Sequence, residues 1–224
     1  MASKNSPSEL VKARDGTLGL LFYWFEGSLC LLVHLRGWKT AVAGRKCGDP
    51  HSYAGPGGAA KTDERPEVAM IRETREEYEM DVEIIGPLLI VTKDTMASKK
   101  VFNCHFYILC PVDATKPPSI PDAEKEKVLG FALIKWTDMF EAIPEALKTT
   151  TRPIDDRILT QVNNEDCHLF LSMVNLVLAN ADLGAEAEIL KIFDAAGKKV
   201  PDFDESIMNN VDLRFVRKMP LQGI

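Results

Sequence analysis

Glu64, Arg72, Glu73, Glu76 and Glu77 crowd into one short stretch of the chain, just after the glycine pair Gly57-Gly58. Glu73, Glu76 and Glu77 are spaced i, i+3 and i+4, which on a helix sets like charges side by side at a cost of roughly 0.2–0.5 kcal/mol per pair. Counting 100° per residue from Val68, Glu76, Glu73 and Glu77 fall at about 80°, 140° and 180°, and Met70, Thr74, Tyr78 and Ile71 between about 200° and 300°. The expectation is a helix with three carboxylates on one face and a packing surface on the other. Arg72, four residues before Glu76, can hold one carboxylate but cannot neutralise three. A hard divalent cation can, because Mg²⁺ favours carboxylate oxygens and also binds substrate phosphates.

The spacing beyond the helix narrows the chemistry. Gly58, Glu64, the pair Arg72-Glu73 and the pair Glu76-Glu77 stand at the fixed positions of the pattern G-x5-E-x7-R-E-U-x-E-E-x-G-U, where U is aliphatic. This stretch closely resembles the Nudix box, and the chain is similar to the Nudix hydrolase family. Pro56-Gly57-Gly58 resembles the family's lead-in, and Trp136 resembles the aromatic that follows the last core strand. Two positions depart: Thr74 replaces an aliphatic residue, and Glu79 replaces the glycine after the helix, where a left-handed turn costs about 1 kcal/mol without glycine.

The resemblance implies an α/β (α+β) fold, an α/β/α sandwich with a mixed sheet, and hydrolysis of a nucleoside diphosphate linked to another moiety. It implies Mg²⁺ or Mn²⁺ bound by Glu73, Glu76, Glu77 and the backbone of Gly58. Glu73 and Glu76 are then the catalytic carboxylates, oriented by Arg72 and Glu64. Asp122, Glu124 and Glu126 precede a strand-like run, where many family members supply a further carboxylate. His51 and Tyr53 just before the Pro-Gly-Gly turn, with Arg45, are the candidate substrate-binding residues. Two other readings accompany this one: a non-catalytic module of the same fold that binds a nucleotide-derived ligand, and an RNA decapping hydrolase acting on capped RNA. All three box carboxylates survive, which favours the enzyme. No subfamily marker is found downstream of the box.

Other elements must position these residues. Leu18 to Phe25 and Leu29 to Leu35 are strand-like and joined by a short Glu-Gly-Ser connection, which reads as a hairpin. A glycine-punctuated segment follows, residues 36–58, and then a helix from about Pro66 to Tyr78 with proline in its first turn. Strand-like runs follow at Val82 to Thr92, Lys100 to Pro111 and Val128 to Trp136, with a Pro-rich loop at 112–121. Ile154 to Val162, Asp166 to Ala179 and Ala185 to Ala196 have helical patterning. The expected organisation is a polar tail at 1–13, a catalytic domain at 14–150, and a helical extension at 151–224 packed on the same domain.

Composition sets the outer bounds. The 224 residues carry 27 Lys and Arg against 33 Asp and Glu, a net charge of −6. That excludes a strongly basic nucleic-acid binder and sets the decapping reading apart. With 46% hydrophobic residues the chain can build a substantial core. No apolar run reaches the roughly 20 residues that cross a bilayer, and the start of the chain has no secretion-signal pattern, so a cytoplasmic location is expected. Cys30, Cys47, Cys104, Cys110 and Cys167 are odd in number with no Cys-x-x-Cys pair, against a disulfide framework or structural zinc. Gly55 to Thr62 lacks the glycine that a Walker phosphate loop needs before Lys61-Thr62. The expected partner is a small nucleoside-diphosphate derivative, with a homodimer open.

Overall fold

The structure is a computed structural model and describes residues 14–37, 52–95, 100–141, 173, 186–204, 206 and 213–215. Its frame begins with the expected hairpin. β1 (Arg14–Phe25) and β2 (Ser28–Arg36) pair antiparallel, with Phe25 opposite Ser28. The two-residue loop between them has Glu26 at φ 47° and Gly27 at φ 72°. Two successive left-handed residues match the twist of the flanking strands.

The remaining strands are β3 (Tyr53–Ala54), β4 (Gly57–Ala59), β5 (Val82–Thr95), β6 (Lys100–Pro111), β7 (Val128–Lys135) and β8 (Leu213–Phe215). They form one sheet in the order β5-β6-β1-β2-β7-β8, with β3 beside β2 and β4 beside β1. The β1–β6 and β7–β8 pairs are parallel and the rest antiparallel, so the sheet is mixed.

β1 and β2 are buried on both faces, which is why they read as unbroken apolar runs. Leu18, Leu20, Phe22, Leu29, Leu31, Val33, Phe106 and Ile108 fill one face. Leu21, Tyr23, Cys30, Leu32, Tyr107 and Leu109 fill the other. α1 (Pro66–Tyr78) covers the second face through Met70 and Tyr78. The first is covered by α2 (Trp136–Glu141), Met173 and α3 (Glu186–Ala195) through Trp136, Met139, Ile189 and Phe193. Helix, sheet and helix make the expected sandwich, and each fully buried large apolar side chain contributes about 1.5–3 kcal/mol. Trp136 ends the β7 run by opening α2, and its ring meets Phe22 edge-on at 4.9 Å. α3 matches the last expected helix. Those expected at 154–162 and 166–179 lie outside the described residues except for Met173, which is helical and buried.

α1 starts after Arg65, whose extended backbone (φ −70°, ψ 145°) suits a residue before proline. Thr74, at an aliphatic position of the pattern, is fully buried and donates its hydroxyl to the Met70 carbonyl at 2.9 Å, so its polar atom is satisfied within the helix. Glu79 takes the left-handed position at φ 51° and donates its amide to the Arg75 carbonyl. Ser119 offsets the strain there, donating its amide to the Tyr78 carbonyl at 3.0 Å and its hydroxyl to the Glu79 carboxylate.

Candidate functional site

β4 places the glycine pair. It lies antiparallel on the first half of β1, with Gly58 opposite Thr17 and Gly57 opposite Leu18, and packs against α1. A Cβ on Gly58 would stand 2.6 Å from Oε1 of Glu73, and one on Gly57 would stand 2.2 Å from the Thr17 carbonyl oxygen. At Gly57 a side chain would strike backbone, and at Gly58 it would strike the Glu73 carboxylate.

The carboxylates do not share one solvated face. Glu73 and Glu77 turn inward with Ala69, Met70, Thr74 and Tyr78, and only Glu76 is open to water, its side chain 48% exposed. The helical count anticipated their angular order but not what covers them. β4 supplies the Gly57 amide and the loop before β7 the Lys127 ammonium as partners for Glu77, and Arg72 holds Glu73.

Arg72 binds three of the four acids. Its Nε and Nη2 donate to the two oxygens of Glu64, both at 2.9 Å, in a fork-to-fork pair. Nη1 donates to Glu73 at 2.7 Å and to Glu76 at 2.9 Å, and Nη2 reaches the Ala59 carbonyl at 3.4 Å. Glu64 also accepts the Lys61 amide at 2.8 Å. The Arg72 hydrogen bonds, with that amide, hold the Glu64 carboxyl down at about 2. Arg72 in turn is pushed above the usual arginine value, first by Glu64.

Glu77 is the deepest acid, with its side chain 1% exposed. One oxygen accepts the Gly57 amide at 2.9 Å and the other meets Nζ of Lys127. Burial pushes its carboxyl up, against the pull of Lys127 and the Gly57 amide. Burial also opposes the charge on Lys127, yet Glu77 beside it raises that ammonium above the ordinary lysine value. The two tendencies pull apart, since a protonated Glu77 would leave Lys127 nothing to be raised by. Direct contact of the two groups favours the charged pair, and that direction governs at neutral pH. Behind Glu77, the Tyr78 hydroxyl donates to the Ala54 carbonyl at 3.5 Å and lies 3.2 Å from His34 Nδ1. Burial first, then Arg36 and Lys127, hold His34 neutral, well below the usual histidine range.

Among the three later acids, Glu124 comes nearest, its Oε2 3.4 Å from Lys127 Nζ. Asp122 points to water and pairs with Lys125 at 2.6 Å, and Glu126 is exposed. Beside Glu77 a pocket of about 240 Å³ is bordered by Thr17, His34, Arg36, Lys127 and the backbone of Gly57 and Gly58. Thr17, Arg36 and Lys127 were not singled out from the sequence for this site. Only the topology brings the ends of β1, β2 and the β7 loop together.

A family model described as the NUDIX domain matches residues 19–162, more than half of the chain. The chain belongs to the Nudix family. Its fold is similar to that of a MutT NUDIX hydrolase from Burkholderia pseudomallei, at 16% identity and a TM-score of 0.42, over 67% of this chain and 96% of that one. It is also similar to a NUDIX-family hydrolase from Clostridium perfringens, at 16% identity and a TM-score of 0.42, covering 76% and 99%. A C. elegans Ap4A hydrolase is similar at 13% identity and a TM-score of 0.44, covering 58% and 85%. No curated protein matches the chain.

The Nudix resemblance implies a divalent cation, and the residues fit one in chemistry. Carboxylate oxygens of Glu73 and Glu77 flank the Gly57-Gly58 backbone, in a cradle that a Cβ on Gly58 would fill. Among the described residues no three acidic, histidine or cysteine side chains converge as a coordination sphere; Arg72 and Lys127 stand on those carboxylates. Of the expected substrate-binding residues, His51 and Arg45 lie outside the described residues. Tyr53 is 8% exposed and packs in the core cluster on the α2–α3 side of the Nudix sheet. Cys30, Cys104 and Cys110 are buried free thiols, while Cys47 and Cys167 lie outside the described residues. Among the described residues no helix is long and apolar enough to cross a membrane.

Proposed function

We propose that the chain hydrolyses the pyrophosphate linkage of a nucleoside diphosphate joined to another group, using Mg²⁺ or Mn²⁺ held by Glu73, Glu76, Glu77 and the backbone of Gly58. The observation that carries this reading is the Arg72 fork. One guanidinium gathers Glu73 and Glu76 on α1 with Glu64 from the loop before it, beside the glycine pair. A bound divalent cation supplies charge neutralisation at the diphosphate and a lowered pKa for water.

The chain's own residues do the rest. Glu64, held ionised down to about pH 2, keeps the Arg72 fork fixed across any working pH. Arg72 then sets the directions of the Glu73 and Glu76 carboxylates. Gly57 orients Glu77 through its amide. Glu76 is the carboxylate most open to solvent, and in this reading it accepts the proton from water.

The reading is tested by phosphate-bond cleavage across ADP-ribose, NADH, sugar nucleotides, dinucleoside polyphosphates, nucleoside triphosphates and capped RNA, with Mg²⁺ or Mn²⁺. A Glu76→Gln variant serves as control. Metal-dependent turnover that vanishes in the variant is expected. Binding of one compound without cleavage of any would replace the enzyme by a ligand-binding module.

A further inference from the structure

Lys127 occupies the place of a cation inside the acidic site. Its backbone is fixed on both sides, the amide donating to the Glu124 carbonyl at 2.8 Å and the carbonyl accepting the Gly37 amide at 2.7 Å. The side chain, 21% exposed, runs inward and bridges Glu77 and Glu124. Lysine is seldom so buried unless paired, and such a pair is weak evidence of a stabilising purpose, since desolvation offsets the attraction.

The same lysine borders the pocket beside Glu77 together with Arg36. A second, independent feature marks that pocket as a binding surface. Thr17 lines it, is 4% exposed, and has a buried hydroxyl with no hydrogen-bond partner among the described residues. A buried hydroxyl without a partner is costly unless a ligand satisfies it. Two cationic side chains and an open hydroxyl around a small cavity suit a compact anion such as a phosphoryl group.

We propose that Lys127 is an exchangeable cation, neutralising Glu77 in the metal-free protein and turning its ammonium to a phosphoryl oxygen of the substrate in the adjoining pocket once a divalent cation takes that carboxylate. This rests on the proposed role of Glu77 in holding metal. Like charges at contact distance repel strongly in a buried site, so Lys127 and a divalent cation compete for Glu77. The four-carbon stem of lysine gives the ammonium the reach to move without displacing its backbone.

The test uses the intact chain without nucleotide. Free Mn²⁺ is followed by electron paramagnetic resonance in the wild type, Lys127→Met and Lys125→Met, and pyrophosphate binding is then measured at saturating Mn²⁺. Lys127→Met is expected to bind Mn²⁺ about tenfold more tightly, the equivalent of ~1.4 kcal/mol, and pyrophosphate about tenfold more weakly. Lys125→Met, which alters only a solvent-facing pair, is expected to match the wild type in both. Equal or weaker Mn²⁺ binding by folded Lys127→Met overturns the proposal. Should that variant not fold, the lysine ε-methylene resonance of Lys127 in the wild type decides: it shifts on adding Mg²⁺ and again with pyrophosphate, or the proposal fails. Turnover with unchanged Mn²⁺ affinity in Lys127→Met removes the exchange alone. The expected binding shifts without turnover of any compound remove hydrolysis and leave the exchange.

Discussion

Gly58→Ala tests whether the meeting of β4 and α1 orders the site. The new Cβ would stand 2.6 Å from Cδ and Oε1 of Glu73, whereas carbon contacts become favourable near 3.5 Å. The carboxylate must therefore retreat by roughly 0.9 Å. Taken along its contact with Arg72, which measures 2.7 Å, that movement lengthens the bond to about 3.6 Å, beyond hydrogen-bond reach. One charge-assisted bond of about 1.5–3 kcal/mol is lost, and a misplacement near 1 Å in a catalytic group lowers turnover on the order of 10²-fold. The assay pairs metal-dependent cleavage and Mn²⁺ binding with thermal melting. Gly58→Ala is expected to fold, to lose about two orders of magnitude in turnover, and to bind Mn²⁺ more weakly. Gly57→Ala supplies the contrast, because its Cβ would strike the Thr17 carbonyl oxygen at 2.2 Å. Backbone cannot yield as a side chain does, so that variant is expected to lose roughly 3 kcal/mol of stability. Turnover and Mn²⁺ affinity within about threefold of wild type in Gly58→Ala, less than 1 kcal/mol of effect, would refute the reasoning.

Three further outcomes follow from the geometry. The Glu64 carboxyl is held at about 2, below its usual value of 4.5, so the stability it contributes is present above about pH 4.5 and is lost as pH falls toward 2. Glu64→Gln should flatten the fall of the denaturation midpoint across that window and, by loosening Arg72, reduce turnover about 10–100-fold; an unchanged acid profile would count against the fork. Tyr78→Phe deletes the hydroxyl beside His34 and the Ala54 carbonyl and should cost about 1–3 kcal/mol in urea unfolding, with a loss under ~0.5 kcal/mol opposing the expectation. Phe193→Ala, on the α3 residue 1% exposed in the core, should cost about 3–5 kcal/mol within a single transition; two separate transitions would mean that α3 is not part of the same core.

Periodicity made the frame readable. Pro66 to Tyr78 coincides with α1, and Lys100 to Pro111 with β6, because each run is long and bounded by turn residues. β3 and β4 were not legible, being two and three residues long and held by pairing across the sheet rather than by their own propensity. The box spacing named Gly58, Glu64, Arg72, Glu73, Glu76 and Glu77 as a group, and the structure brings their elements together. It gave no sign that Glu73 and Glu77 would face inward, since a helical wheel carries no information about what lies opposite. Lys127 sits in an alternating acidic and basic run, Asp122 to Lys127, which looks like any solvated loop until β7 fixes which of its charges turns inward. Thr17 and Arg36 were hidden for the same reason, as strand residues whose importance depends on a register set many residues away.

That register also governs when the site comes into being. β1 is zipped in parallel to β6, with Gly16 opposite Cys104, while β4 lies against the same stretch of β1 on its other edge. Parallel pairing over such a separation is slow, because the loop must close before any contact rewards it. A ribosome must deliver the chain through β6 before that edge of β1 is closed, and during that interval the strand against which β4 sets the glycine pair lacks one neighbour. The order of synthesis thus makes the α1 carboxylates early to emerge and late to gain a completed frame.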